Sequence, residues 1–209
     1  MKVFKFGGAS VKDAAGVQNL VLILEKVGFK ETLIVVSAMG KTTNALEAII
    51  ETYFKNKKQT PKGILALKQF HLDVVKDLFR EESGEIETAI HQLFEELIAF
   101  FNTNKSPDYS FVYDQVVSYG ELLSTTIIHH FIQKKKIDSF WLDARNCIKT
   151  DDYYRSANLN WELTLNKINQ QIGKTSLIIT QGFIGSNSNN FTTTLGREGS
   201  DYTAAIFAY

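Results

Sequence analysis

Apolar positions fall along the chain in two patterns: short runs of β-branched residues, and longer stretches with helical spacing. Val3 to Phe6 is a short apolar run that stops at Gly7-Gly8, and it predicts a strand. Val17, Leu20, Val21 and Leu24 then recur at three- and four-residue intervals, predicting a helix. Thr32 to Ser37 (TLIVVS) is a run of the kind seen in a strand buried on both faces. Strand, helix and strand in this order predict a right-handed parallel βαβ unit.

From about Asn44 to Lys136 the pattern is helical, punctuated only at Pro61, Gly63, Gly84 and the Asn102–Asp108 stretch. Strands return at Asp138 to Leu142 (DSFWL) and Ser176 to Gln181 (SLIITQ), with a connecting helix expected over Trp161 to Ile172. Phe183 to Gly185 and Phe191 to Leu195 predict short strands around the polar loop Ser186–Asn190. Gly199 opens a last helix, with Ser200 or Asp201 as its expected N-cap. This helix runs through Ala204 to Tyr209 with no capping glycine or polar tail, which predicts a truncated chain. The expected architecture is an α/β domain with a long helical insertion.

Composition removes several function classes. Lys plus Arg and Asp plus Glu stand at 23 each, so no basic excess points to nucleic acid or to a membrane surface. Any nucleotide must then be held by a local site. The single cysteine, Cys147, excludes an internal disulfide and predicts a reducing, cytoplasmic setting. No stretch approaches the roughly 20 apolar residues that span a bilayer. Lys5 and the two glycines after it break the apolar run that a signal peptide needs. The Asn-x-Ser/Thr triplets at Asn104 and Asn190 read as chance matches in such a chain.

Four constellations offer chemistry. Lys5-Phe6-Gly7-Gly8-Ala9-Ser10 follows a strand, and its glycine amides with a helix N-terminus make an anion cradle beside a lysine. An ordinary strand-to-helix turn accounts for the same residues. Ser37 to Asn44 (SAMGKTTN) ends like a P-loop at Gly40-Lys41-Thr42, but Val35 stands where the opening glycine belongs, so the P-loop reading fails. The hydroxyls of Ser37, Thr42 and Thr43 suit a small polar ligand, or Thr42 or Thr43 caps a helix. Asp114, Ser118, Glu121, Thr125 and His129 form one polar stripe at helical spacing between apolar flanks. Glu121 on such a helix suits a ligand ammonium group; a solvent-facing stripe or an internal ion pair fits the pattern equally.

The fourth constellation is Thr192 to Asp201 (TTTLGREGSD). Arg197 offers a planar fork for a carboxylate, Gly199 and Ser200 present amides at the positive end of a helix, and Asp201 can hold Lys5 in place. The four histidines (His71, His91, His129 and His130) show no metal-ligand spacing and are expected on the surface or on helix faces. Lys134-Lys135-Lys136 reads as a solvated helix end.

Together, KFGGAS at Lys5–Ser10, VVSAMGKTTN at Val35–Asn44, SYGELLS at Ser118–Ser124 and TTLGREGSDYTAA at Thr193–Ala205 resemble the aspartate kinases of the amino acid kinase superfamily. The resemblance covers the whole chain. It implies a three-layer αβα sandwich around a mainly parallel sheet. It also implies transfer of the γ-phosphate of ATP, with Mg²⁺, to the β-carboxylate of L-aspartate in a cytoplasmic homodimer. Lys5 would neutralise the transferring phosphoryl group, with Gly7, Gly8 and Ser10 around the phosphates and Gly199, Ser200 and Asp201 beside them. Thr43, Glu121 and Arg197 would hold aspartate, with Ser37, Gly182 and Phe183 along the pocket. Two positions depart from the family pattern: Ala9 stands where threonine is usual, and Glu198 where glycine is usual. The family's nucleotide-base half and regulatory domains would lie beyond residues 1–209, leaving this part inactive alone. Another kinase of the superfamily, a non-catalytic amino-acid-binding module and a parent fused to a dehydrogenase stand as the other readings.

Overall fold

A four-stranded parallel sheet organises the chain, in the order β1-β2-β4-β3. It is formed by β1 (Lys2–Phe6), β2 (Thr32–Val36), β3 (Phe140–Leu142) and β4 (Leu177–Gln181). The structure is a computed structural model that describes residues 1–173 and 177–209. Ser176, placed by the sequence at the start of the fourth strand, lies outside the described residues. A separate antiparallel pair joins β5 (Ile184–Ser186) to β6 (Thr192–Thr194).

All five residues of β2 and of β4 are buried, because both faces of the sheet are covered. Side chains alternate across a strand, so Ile34 and Val36 point into one core and Leu33 and Val35 into another. The first core takes α1 (Ala14–Val27), α2 (Thr42–Lys55), α3 (Thr60–Phe79), α4 (Gly84–Thr103), α5 (Tyr109–Val117) and most of α6 (Tyr119–Lys134). The second core is closed by α7 (Ala144–Cys147), α8 (Trp161–Gln171) and α9 (Gly199–Ala208), through residues such as Cys147, Ile168, Ile206 and Phe207. Helices on both faces of a parallel sheet make this the expected αβα arrangement.

Strand register sets where a site can form. Phe6 pairs with Val36 and Val36 with Gln181, so β1, β2 and β4 end level. Cross-strand bonds continue one residue further, from the Ser37 amide to the Phe6 carbonyl at 3.0 Å and from the Gly182 amide to the Val36 carbonyl at 3.0 Å. The loops opening at Gly7, Ser37 and Gly182 therefore leave one edge side by side, where parallel sheets place their ligands. Two glycines let them pack. A Cβ on Gly8 would lie 2.5 Å from the Ala38 carbonyl oxygen, and one on Gly182 would lie 2.5 Å from the Ser200 side chain.

Several expectations need correction. The stretch around Val112–Ile132 is two helices, broken at Ser118, whose hydroxyl donates back to the Gln115 carbonyl at 2.9 Å. Its polar stripe faces the interior: Asp114, Ser118, Glu121 and Thr125 are buried and His129 is half-buried. It is neither solvent-facing nor an ion pair, because each group finds protein hydrogen bonds instead. The N-cap of α9 is Glu198, not Ser200 or Asp201, and it caps without a side-chain bond. Lys41, again with no side-chain cap, precedes α2 in place of Thr42 or Thr43. His71 is fully buried, with Nδ1 2.9 Å from the Leu67 carbonyl and Nε2 3.4 Å from the Thr42 hydroxyl. Burial holds its pKa down to about 4, so it sits in the fold as a neutral ring.

Candidate active site

The loops at the carboxyl edge of the sheet line an open cavity of about 270 Å³. Lys5 reaches it from the end of β1, Ser37 from the loop after β2, Thr43 from the first turn of α2 and Glu121 from the first turn of α6. Phe183, Gly196 and the turn from Glu198 to Asp201 complete the lining. Four clefts among the described residues are larger: two of about 410 Å³ along α2, α3 and α4, one of about 860 Å³ between α1 and α3, and one of about 560 Å³ around Tyr153 and Arg155. Of the five, it is the 270 Å³ cleft that brings Lys5, Glu121 and Asp201 together at the ends of the strands.

Lys5 Nζ lies 3.0 Å from Asp201 Oδ2. The pair joins the end of β1 to the first turn of α9, although 196 residues separate the two in sequence. Its side chains are 28% and 59% exposed, so the pair contributes little to stability and leaves the ammonium open to a ligand. Next to it, Ser37 Oγ donates to Ser200 Oγ at 2.9 Å, tying the loop after β2 to the same helix turn.

Glu121 is the most constrained group. It is 3% exposed; Oε1 accepts from the Ala38 amide at 3.1 Å and Oε2 has no hydrogen-bond partner. Burial pushes its pKa up to about 8, and the Ala38 amide only partly opposes that rise. Nearby, Ser124 Oγ donates to the Ser37 carbonyl at 2.9 Å and clamps the loop onto α6. A buried carboxyl oxygen without a donor, on the wall of a polar cavity, is a waiting acceptor.

Asp114, outside the cavity, holds its wall. Its carboxylate accepts from the Thr194 amide and hydroxyl, each at 2.8 Å, and from the Arg155 amide at 3.0 Å. That fixes β6, and so the turn that follows it, against α5. Desolvation raises its pKa to about 6 against the pull of these donors. Asp114→Ala is expected to destabilise the chain by roughly 2–4 kcal/mol, because buried donors lose their acceptor. The check is the urea midpoint, and an unchanged midpoint would contradict the clamp.

The remaining candidates are spread around this centre. Gly7, Gly8 and Ser10 form the edge beside Lys5: Ser10 donates its amide to the Gly7 carbonyl at 2.9 Å, and Gly8 accepts from the Gly40 amide at 3.0 Å. Gly182 lies beneath Ser200. Arg197 is exposed, outside the cavity lining, and takes part in none of the hydrogen bonds and ion pairs found among the described residues. Sequence reasoning missed Gly196 and Glu198 as wall residues, and missed Asp114 as the clamp. Adjacency to the Arg197–Asp201 turn was a usable signal for the first two. Nothing local links Asp114 to Thr194, 80 residues away.

The amino acid kinase family matches residues 1–209. Lysine-sensitive aspartokinase 3 of Escherichia coli (strain K12) is 30% identical over 99% of this chain and 45% of its own length. The crystal structure of E. coli aspartokinase III in complex with lysine and aspartate superposes with a TM-score of 0.90 at 29% identity, over 100% of this chain and 46% of that one. The same enzyme in complex with aspartate and ADP gives 0.89 at 29% identity, with the same coverage. The chain thus spans about half the length of the relatives it matches.

Proposed function

The chain belongs to the amino acid kinase family, and on that premise we propose that it is the substrate-binding part of an aspartate kinase. The reaction is transfer of the γ-phosphate of ATP to the β-carboxylate of L-aspartate, an entry step to lysine, threonine and methionine. The observation that supports this reading best is Glu121. A buried carboxylate with one unpartnered oxygen, beside a cavity of amino-acid size, is matched by a substrate ammonium group.

In this reading Thr43 and Ser37 supply hydroxyls to the bound acid, and Arg197 swings its guanidinium onto the α-carboxylate. Phe183 closes the apolar side of the pocket, over Gly182. The aspartate β-carboxylate is already ionised at neutral pH and needs no general base. The chain's own contribution is positioning and charge: Lys5, held by Asp201, faces the transferring phosphoryl group, with the backbone of Gly7, Gly8, Ser10, Gly199 and Ser200 around the phosphates.

Among the described residues no cluster of three or more His, Cys, Asp and Glu could hold a metal unaided. Mg²⁺ would come with the phosphates, and the Asp201 carboxylate is the residue that would stand beside it. When bound, Mg²⁺ would neutralise charge on the phosphates. The adenine and ribose are held by sequence beyond residues 1–209, and regulatory domains follow it. The whole enzyme works as a homodimer in the cytoplasm. No helix among the described residues is long and apolar enough to cross a membrane.

The test is titration of L-aspartate into this chain with an Arg197→Ala control. Saturable binding that the substitution weakens by about 10²-fold supports the reading. Preference for glutamate or acetylglutamate would replace aspartate as the substrate, and equal affinity of the control would remove Arg197 from the site.

A further inference from the structure

Glu198 stands out at the cavity wall. Its φ is +56° and its ψ 22°, a left-handed conformation that costs a residue with a side chain. The backbone is held there because the Glu198 carbonyl accepts from the Asp201 amide at 2.9 Å and the Tyr202 amide at 3.0 Å, which starts α9. Its side chain is exposed, at the mouth of the cavity. None of the ion pairs found among the described residues reaches it.

The charge around the cavity is unbalanced. Lys5 is the one cation in its lining, against the carboxyl groups of Glu121, Glu198 and Asp201. Lys5 is already matched to Asp201 at 3.0 Å, and Glu121 is turned inward to the Ala38 amide. Glu198 is the exposed carboxylate of the lining that no ion pair among the described residues includes, on the turn where the reading above puts the phosphates; its neighbour Arg197 is the cation that the same reading commits to the bound acid. A bare polyphosphate brings several negative charges to the same turn, and because Glu198 is exposed their repulsion adds up over charges and weakens with salt.

We propose that Glu198 makes phosphate binding conditional on a divalent cation: its carboxylate rejects a metal-free polyphosphate and admits the metal-bound form. This rests on the nucleotide reading of the site and adds a residue that discriminates between two forms of the same ligand. Glu198 acts here through charge at the mouth of the site, as a specificity-determining residue.

The experiment is a nuclear magnetic resonance titration of inorganic tripolyphosphate into the chain, with and without Mg²⁺, following the amides of Gly7, Gly8 and Ser200. Wild type, Glu198→Gln and Glu198→Asp are compared. In the wild type Mg²⁺ is expected to tighten binding by about tenfold or more, through the charge effect. Glu198→Gln should reduce that ratio to within about threefold, by binding the metal-free form more tightly; Glu198→Asp, which keeps the charge, should retain it. A ratio unchanged in Glu198→Gln would overturn the inference and leave the kinase reading standing. If no form binds tripolyphosphate while aspartate still binds, the inference fails together with the phosphate half of that reading. If aspartate also fails to bind, the reading of the whole site is what has failed.

Discussion

Glu121→Ala is expected to weaken L-aspartate binding by about 10²-fold or more, because it removes the buried carboxyl group that in the proposed site receives the substrate ammonium group. The same substitution should not unfold the chain. Glu121 lacks a cation in the ligand-free fold, and its second oxygen lacks a donor, so its burial opposes folding. The direction of the pH effect follows from that. The folded-state pKa is raised from 4.5 to about 8, so between those values the folded chain binds more protons than the unfolded one. Stability attributable to Glu121 is therefore present at low pH and lost as pH rises from 4.5 to about 8. Glu121→Gln, which stays neutral, should flatten that slope. Urea unfolding at several pH values reads it, and parallel pH profiles for the two proteins would contradict the assignment.

Lys5→Ala is expected to do the opposite at the same site. Turnover of the enzyme that carries this chain should fall by roughly 10²–10³-fold, the usual result of removing one preorganised donor from a developing charge. Aspartate affinity should change by less than about threefold, because the proposed site puts Lys5 at the phosphate end and Glu121 at the ammonium end. The fold should tolerate the change, since the Lys5–Asp201 pair is too exposed to contribute much stability. Turnover equal to wild type would remove Lys5 from the chemistry. A parallel loss of aspartate affinity would mean that Lys5 binds the acid instead.

These predictions depend on residues that the sequence exposed unequally. The parallel sheet was legible because TLIVVS and LIITQ leave no polar face, which only a strand covered on both sides can sustain. Lys5, Ser37 and Asp201 were legible because each sits where a strand ends or a helix begins. The direction in which a polar stripe faces was not legible. Asp114, Glu121 and Thr125 have helical spacing whether they meet water or protein. What turns them inward is a set of distant donors: Thr194, the Ala38 amide, and the Trp141 and Gln181 side chains.

Backbone conformation was equally hidden. Glu198 looked like a charge misplaced between glycines, and its left-handed φ explains why a glycine would sit there without strain. Phe183, at φ +71°, is the cavity's other left-handed residue with a side chain, and no local signal marked it. His71 reads as an amphipathic-helix histidine until α3 packs it against Thr42 of α2. In each case the missing information was tertiary: which neighbour supplies the hydrogen bond, and which turn fixes the backbone.

The most direct test of the account is calorimetric titration of L-aspartate into this chain at neutral pH, repeated in buffers of different ionisation enthalpy. Burial raises the pKa of Glu121, and pairing with an ammonium group lowers it again. Saturable binding with net proton release is therefore expected, the release shrinking as the pH is raised. Binding without proton release would contradict the pairing of Glu121 with the substrate, and no binding by the folded chain would contradict the site itself.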